Sequence, residues 1–588
     1  MSRESPVSEV RLALGKQKPV FIRAAVFSVV IGFLMLAPSF YMLEVYDRVV
    51  NSRSVMTLVM LTTLLALAYV VLEVLQWARQ GVLRQASGGF DVELGVRVYE
   101  AVFRANLRGA RNLGLRGLRD FTVVRDFICS PTVAGLMDIP MALLLVGVIF
   151  WIDPVLGWFG LVSAAIQGVL TFFNKQSAGS PLAKANMLAS QAQAFVEASL
   201  RNGEVVQAMG MADGLRQRWL KMQKELLLYQ AQASDRAGVF GALSKYVQLI
   251  SSSLMLGLGA WLLLTGAFTG SAGLVLMASI LAGRALAPLV QVIVGWRNVV
   301  NTREAYKRLE ELLEKIPAFE PGLPLPAPKG RLVVEHATAR APGGQPAAKP
   351  VLRNVSFDIS PGTVLAVVGP SASGKSSLAH LLVGAWPCIG GAVRLDGVDV
   401  AGWNKLELGP HVGFLPQDVA LFDGSVAQNI ARFGRIDSGK VKMAAKITGL
   451  HKLILKLPHA YNTRVGDEGV VLSGGMRQRI GLARAIYGSP RLVVLDEPNA
   501  NLDETGDAAL MHTLQVLRAA GATVVVVTHR KNLLAMADLM LLLVDGEVRA
   551  FGPRDDVLAA LQSSVAPKPR LRAPLTAISG ARKPVAAA

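Results

Sequence analysis

Two cysteines in 588 residues, Cys129 and Cys388, leave too little sulfur for a disulfide framework. They stand far apart and outside metal-ligand spacing, which is compatible with a reducing cytoplasm. Acidic residues are also scarce: 42 Asp and Glu face 61 Lys and Arg, a net charge of +19 at pH 7. Such an excess points to nucleic acid or to loops beside anionic lipid, and the placement of the charge decides between them. The first 20 residues contain no short apolar core followed by a small-residue cleavage site, so no cleaved signal peptide is expected. Apolar residues, by contrast, are abundant. They make up 52% of the chain, and mean hydropathy is +0.41. Soluble domains average less, so part of the chain is expected in lipid. The length calls for two or three domains.

Six apolar stretches precede residue 300, at 21–46, 55–77, 132–151, 155–173, 240–266 and 271–296. Each approaches the ~20 residues that a helix needs to cross the hydrocarbon core, and in lipid a helix satisfies its own backbone. Three connections are short: 47–54, the turn at Asp153 and Pro154, and 267–270. The other two, 78–131 and 174–239, are long, polar and predominantly basic, with Arg79, Arg84, Arg97, Arg104, Arg108, Arg111, Arg116, Arg119 and Arg125 in the first. Positive charge stays inside, so the long connections and both termini are expected in the cytoplasm. Topology thus explains most of the basic charge. No nucleic-acid-binding signature accompanies it, and nucleic acid is discounted as a partner. Short outer turns with long inner segments imply helices that continue past the bilayer. Arg284 lies in mid-span, where a charge faces a wet cavity or a partner. It marks either a translocation path or an ion pair within the bundle. Glu44 and Glu73 reach the two interfaces, and Pro38 and Pro288 are kink positions.

Residues 303–315 read as a charged helix leaving the membrane, and the proline-rich stretch 317–328 marks a boundary. Beyond it, Val/Leu runs alternate with glycines and helical patterns, as in an α/β domain. Gly369, Pro370, Ser371, Ala372, Ser373, Gly374, Lys375, Ser376 and Ser377 follow the strand-like run 364–368 and precede a helical pattern. This is a phosphate-binding loop in its strand–loop–helix context. Its backbone N–H groups wrap phosphates, Lys375 reaches the β and γ phosphates, and the Ser376 hydroxyl ligates Mg²⁺. Downstream, the buried strand 492–496 ends in Asp496 and Glu497. Asp496 is placed to support the Mg²⁺ site and Glu497 to polarise an attacking water. Ser473, Gly474 and Gly475 open a helix whose N-terminus can bind an anion.

The run Leu472-Ser-Gly-Gly-Met-Arg-Gln478 resembles the signature motif of ABC ATPases. In that family the signature of one subunit closes over the γ-phosphate held by the other subunit's loop. One loop and one signature per chain then imply a homodimer. Further likenesses follow. Gln417 resembles the Q-loop glutamine that senses Mg²⁺, Thr463 to Gly469 the exporter X-loop, Asn501 to Asp503 the D-loop, and His529 the switch histidine that meets the γ-phosphate. One position departs from the family: Ala341 stands where a tyrosine normally stacks on adenine. Adenine contact is then weaker, or supplied by Arg340 or His336, and a looser base preference is expected.

The resemblance implies a fold class and a domain order. A six-helix all-α membrane domain of ABC-exporter type (21–316) follows a cytoplasmic segment (1–20). A linker (317–330) leads to an α/β P-loop NTPase domain (331–562), and a disordered basic tail (563–588) ends the chain. The first outer turn, Phe40 to Leu58, and Gly283 to Pro288 resemble type I secretion ATPases of the protease/lipase exporter branch. That likeness implies ATP-driven export of an unfolded polypeptide with a C-terminal signal across the bacterial inner membrane. It also implies a periplasmic adaptor and an outer-membrane channel as partners. About 20 residues before the first span, without Cys or His, leave no room for a peptidase or other domain there. The alternatives are an exporter of lipids or small hydrophobic compounds and, in another class, a nucleotide-gated channel or regulator with little hydrolysis. Glu497 and His529 argue against the last.

Overall fold

A computed structural model describes residues 8–109, 111–318, 324–343, 349–466 and 469–565. They form two units, one comprising residues 8–106 with 111–318, the other residues 107–109 with those from 324 onward. The basic tail from 566 onward lies outside the described residues.

The first unit is helical. In chain order it contains α1 (Glu9–Lys16), α2 (Lys18–Leu34), α3 (Ala37–Glu44), a π-helical turn (Val45–Val49), α4 (Val50–Ser52) and α5 (Val55–Leu107). Then come α6 (Arg111–Ile128), α7 (Pro131–Ile152), α8 (Pro154–Arg201), α9 (Gly203–Ala208), α10 (Ala212–Leu264), α11 (Ala272–Val294) and α12 (Trp296–Lys315). Among the described residues six helical segments are long and apolar enough to cross a membrane, and each of the six expected spans overlaps one of them, the fifth and sixth overrunning by one or two residues at their ends. The long connections are helical, as the short outer turns implied. The 53 residues of α5 extend about 80 Å at the α-helical rise, against a hydrocarbon core of about 30 Å. α10 has the same length and α8 has 48 residues, so the polar segments 78–107 and 174–201 continue their spans as helix. The first outer connection is also helical and ends at Arg53, in the left-handed region at φ 52°.

Local chemistry sets the turns. The Asp153 side chain accepts from the N–H groups of Val155 (2.8 Å) and Leu156 (3.2 Å) and caps α8, with Pro154 in the first turn, where no N–H is needed. Ser271 caps α11 by accepting from Leu274 N (3.3 Å). Asp47, on the π-helical turn, accepts from the Ser271 hydroxyl and from Gly273 N, adding negative charge at that helix start. The break between α2 and α3 has a comparable logic. Pro38 has no N–H to give, and Ser39 N and Phe40 N both turn to Leu36 O. The Met35 carbonyl then accepts from the guanidinium of Arg284 on α11.

Apolar packing of Met141, Leu145, Ile149, Leu156, Met255 and Leu281 joins α7, α8, α10 and α11. Several buried polar groups inside this unit pair with one another. Gln167 on α8 and Ser244 on α10 exchange two bonds of 2.6 and 2.7 Å. Arg79, read from sequence as part of a cytoplasmic connection, is instead 7% exposed in α5. It donates to Asp138 on α7 (2.6 Å) and to Ser28 on α2 (2.9 Å).

The second unit is α/β. A six-stranded sheet has the order β12-β11-β3-β10-β9-β6, formed by β3 (Val364–Val368), β6 (Val412–Leu415), β9 (Leu492–Asp496), β10 (Thr523–Val527), β11 (Leu539–Val544) and β12 (Glu547–Pro553). Only β12 is antiparallel to its neighbour. A four-stranded antiparallel sheet, β2-β1-β4-β5, uses β1 (Leu332–Ala339), β2 (Leu352–Ile359), β4 (Gly390–Leu395) and β5 (Val398–Asp399). A ribbon pairs β7 (Gly424–Ser425) with β8 (Arg464–Val465). The helices are α13 (Lys375–Leu382), α14 (Lys405–Leu408), α15 (Val426–Ile430), α16 (Ser438–Ile447) and α17 (His451–Ile454), then α18 (Gly474–Ile486), α19 (Glu504–Ala519), α20 (Lys531–Leu534) and α21 (Arg554–Val565). Strand alternation sends Val364, Ala366, Val493 and Val524 into one core and Leu365, Val367, Leu492 and Val525 into the other. The central strands are therefore apolar on both faces, as parallel strands covered on both sides must be.

Removing one partner of the Arg79–Asp138 pair leaves a buried unpaired charge. Asp138→Ala is expected to destabilise the membrane unit by about 3–5 kcal/mol. Arg79→Met combined with Asp138→Leu is expected to recover most of that loss. Thermal melts in detergent check both, and additive losses in the double variant would contradict the assignment.

Candidate functional site

The parallel strands β3, β6, β9 and β10 run in one direction, so their carboxyl ends share one edge, the usual ligand crevice of such sheets. Each expected catalytic or phosphate-binding element in this sheet leaves from such an end. The phosphate loop follows β3, Gln417 follows β6, Asp496 and Glu497 close β9, and His529 lies just past β10.

Backbone conformation shapes the loop. Gly374 has φ +99°, and a Cβ there would press on the Leu352 side chain at 2.9 Å. A Cβ on Gly369 would collide with the Leu543 carbonyl. Ala372 also adopts a left-handed φ, of 63°. Pro370, Ser371 and Ser373 complete the turn, and Ser376 and Ser377 begin α13 beside Lys375. The Lys375 ammonium donates to the carbonyls of Gly369 (3.0 Å) and Pro370 (2.7 Å), so it is folded over its own loop.

Asp496 is fully buried, and neither carboxylate oxygen has a hydrogen-bond partner. Burial pushes its pKa above the usual 3.8, the neighbouring Glu497 charge adds to this, and Lys375 and His380 oppose it. The Ser376 hydroxyl lies close enough to favour the charged form, though outside hydrogen-bond geometry. Two orphaned anionic oxygens beside a serine hydroxyl fit a hard cation. Among the described residues there is no group of three or more His, Cys, Asp or Glu that could hold a metal. Mg²⁺ takes one or two carboxylates and completes its shell with phosphate and water, a demand that the Asp496 carboxylate beside the Ser376 hydroxyl fits.

Glu497 stands at φ 45°, outside the strand geometry that precedes it, and its N–H donates to Val527 O (3.0 Å). Gln417 Nε2 donates to Glu497 Oε2 (3.1 Å), and His529 Nδ1 lies 4.0 Å from Glu497 Oε1. The structure thus gathers Gln417, Glu497 and His529 around one carboxylate. Ser473 caps α18 by accepting from Met476 N (3.3 Å), and Gly474 and Gly475 pack against Asn501. Asp503 caps α19, accepting from Gly506 N (2.8 Å), and pairs with Arg479 (2.7 Å). The Gly506 N–H and the Thr505 hydroxyl, followed by Arg479, hold its carboxyl below the usual range. Of the exporter X-loop, Thr463 is buried, while Asp467 and Glu468 lie outside the described residues.

At the base-contact position the two candidates differ. His336 is committed to Asn354 Oδ1 (2.7 Å) on an irregular part of β1. Arg340 follows Ala339, which pairs with Leu352, and Leu352 in turn packs against Gly374 of the loop. The Arg340 Nε is buried without a partner.

Some neighbours carried no role in the sequence reading. Gln478 Nε2 donates to Pro498 O (3.2 Å), tying α18 to the residue after Glu497. Its place in the signature motif was visible, but its target was not. The His380 ring bonds the Ser376 carbonyl through Nδ1 (2.7 Å) and stacks on Trp386, with centroids 5.0 Å apart. The i, i+4 spacing from Ser376 was the available signal.

A membrane-embedded helical unit joined to an ATPase unit of this design defines a class, and comparison with known proteins agrees. The family model for the ABC transporter transmembrane region matches residues 21–284, and the one described as ABC transporter matches 352–500. The type I secretion system ATP-binding protein PrsD of Rhizobium meliloti (strain 1021) is 40% identical over 548 residues, 93% of each chain. The leukotoxin translocation ATP-binding protein LktB of Mannheimia haemolytica is 28% identical over 560 residues, 93% of this chain and 77% of that protein. In fold, the structure of a bacterial Atm1-family ABC exporter with ATP bound superposes with a TM-score of 0.79 at 21% identity, over 94% of this chain and 99% of that one. The chain belongs to the ABC exporters and, within them, to the type I secretion ATP-binding proteins. It is a multi-pass membrane protein whose cytoplasmic ATPase unit binds and hydrolyses ATP.

Asp496→Asn removes a buried, unpartnered charge. Because the folded carboxyl binds its proton more tightly than the unfolded one, wild-type stability falls as pH rises from 3.8 through the raised folded value. The Asn variant is therefore expected to melt higher than wild type at pH 7 without nucleotide, by about 2–4 °C per kcal/mol relieved. That advantage should vanish in acid, and ATP hydrolysis should drop by about 100-fold or more. Melting curves across pH with parallel hydrolysis assays check both halves. For the base, ATP and GTP are expected to be hydrolysed with similar kcat/KM. Ala341→Tyr should lower KM for ATP by about fivefold or more through stacking. An ATP preference in wild type equal to that of an aromatic-bearing relative would refute this.

Proposed function

We propose that the chain is the motor of a type I secretion system, exporting an unfolded polypeptide with a C-terminal signal across the bacterial inner membrane. The observation that carries this reading is the 40% identity to a type I secretion ATP-binding protein along 93% of both chains, which includes the membrane unit. A likeness confined to the ATPase would support any exporter. The lipid or small-compound exporter has no such support, and a regulator with little hydrolysis does not suit a Glu497 already oriented by Gln417. The proposed working form is a homodimer, with a periplasmic adaptor and an outer-membrane channel as partners.

In this reading Lys375 leaves the Gly369 and Pro370 carbonyls to meet the β and γ phosphates, and the loop N–H groups wrap the rest. Ser376, Asp496 and Gln417 would hold Mg²⁺, which supplies charge neutralisation at the phosphates. Glu497 takes the proton of the attacking water as general base, and His529 swings to the γ-phosphate. Ser473, Gly474 and Gly475 of the second chain close over the same phosphate, with Asp503 holding the D-loop beside them. The helical extensions of α5, α8 and α10 are long enough to carry closure of the ATPase pair to the spans. Arg284 stays a proposal for the translocation path: with Asp138 and Gln291 it borders a cavity of about 330 Å³, while its guanidinium holds the Met35 carbonyl. The proposed domain limits are 21–316 for the membrane domain and 331–562 for the ATPase.

Glu497→Gln is expected to keep ATP affinity, lower hydrolysis about 10²–10⁴-fold, trap an ATP-bound dimer and stop secretion. Size analysis with ATP and the secreted proteins in the medium are the readouts. Continued secretion by that variant would overturn the motor assignment, and a monomer that retains full hydrolysis would overturn the dimer.

A further inference from the structure

Helices α8, α10, α11 and α12 of the membrane unit enclose a cavity of about 470 Å³ to which the transport reading gives no role. On α10 its wall is built from Ala233, Ala237, Gly238, Gly241 and Ala242, with nothing within 4 Å of where a Gly238 Cβ would sit. Small residues alone leave only space. The polar groups around that space give it a chemistry. Lys245, Trp296 and Arg297 line it, and no acidic residue does. Lys245 and Arg297 are exposed, and neither has an ion-pair or hydrogen-bond partner among the described residues. The indole Nε1 of Trp296 is buried without an acceptor. A buried donor without a partner, beside two unpaired cations, lacks an anionic oxygen.

The level of the cavity narrows the anion. α11 is the sixth span and ends at Val294, after which the chain passes through α12 to the cytoplasmic ATPase unit without another candidate span. Trp296 and Arg297 therefore stand at the cytoplasmic face of the bilayer, where tryptophan and basic residues anchor helices. Lys245 lies early in the apolar run of α10, from where its long side chain reaches the interface. Leu182, Val294 and Val300 supply apolar lining beside the cations.

We propose that this cavity binds an anionic phospholipid of the cytoplasmic leaflet, its phosphate held by Lys245, Arg297 and the Trp296 indole. Basic pockets between spans on that side suit such headgroups, and the volume lies within the range of small-molecule sites. The leaflet delivers this ligand at high local concentration, with its acyl chains already in the apolar layer. An extended peptide would need backbone partners, and the lining offers only Gln230 and Ser234 beyond the three named groups.

Native mass spectrometry of the full chain, released from nanodiscs containing phosphatidylglycerol and phosphatidylcholine, tests this. Wild type is expected to retain phosphatidylglycerol preferentially. The double variant Lys245→Gln with Arg297→Gln is expected to lose about tenfold or more of that retention. Trp296→Phe, which keeps an aromatic ring, should lose less and carries the test if the double variant does not fold. Equal retention of the two lipids by wild type, or unchanged retention in the variants, would overturn the proposal. Displacement of the bound lipid by millimolar inorganic phosphate would assign a free-anion site instead. A photo-crosslinker at position 238 that captured secreted cargo rather than lipid would assign the cavity to the translocation path.

Discussion

The carboxylate of Asp496, buried at the end of β9 with both oxygens unpartnered, is the feature on which the ATPase unit depends. A folded protein without a compensating charge would not retain such a group, because a lone buried anion weakens the fold. Its surroundings explain its place. The phosphate loop leaves β3, with β10 between that strand and β9, so Lys375 and Ser376 come close enough to perturb the Asp496 carboxyl. Glu497 follows immediately, in a left-handed conformation that takes it out of the strand and towards Gln417 and His529. The two acidic residues thus differ in setting: Asp496 is fully buried, and Glu497 is half-buried beside Gln417 and His529, which suits the separate roles proposed for them.

The membrane unit answers the same physical demand differently, pairing polar groups with one another. Arg79 has Asp138 and Ser28, Gln167 has Ser244, and Arg284 takes the carbonyl freed where α2 gives way to α3. In lipid each unmet polar group is costly, so these contacts fix which helices neighbour which. The Trp296 indole is among the buried groups left without a partner, and it lies in one cavity with the exposed Lys245 and Arg297.

Much of this was legible in the sequence because each signal had one physical cause. Apolar runs of bilayer length gave six spans, and the glycine-rich run 369–374 does lie between a strand and a helix, as its spacing implied. The form of the long basic connections was legible too: the short outer turns implied helices that continue past the bilayer, and residues 78–107 and 174–201 are helical and polar because they leave the lipid. Arg79 was counted with the topology-setting charge of that connection, whereas it is a buried partner of Asp138, a contact that hydropathy does not show. Pro38 marked the break between α2 and α3, but hydropathy cannot show a π-helical turn, so Val45–Val49 was invisible. The base-contact alternatives, Arg340 and His336, became distinguishable only when His336 was seen bonded to Asn354.

The central claim is that a loop from one chain and a signature from another enclose one nucleotide. Two differently tagged chains in a Glu497→Gln, Cys388→Ser background, one carrying Ser371→Cys and the other Ser473→Cys, test it most directly by oxidative cross-linking in bilayers. The expected result is an inter-chain disulfide between the two tags when ATP is present, and little without it. Full nucleotide occupancy with no inter-chain product would contradict the claim.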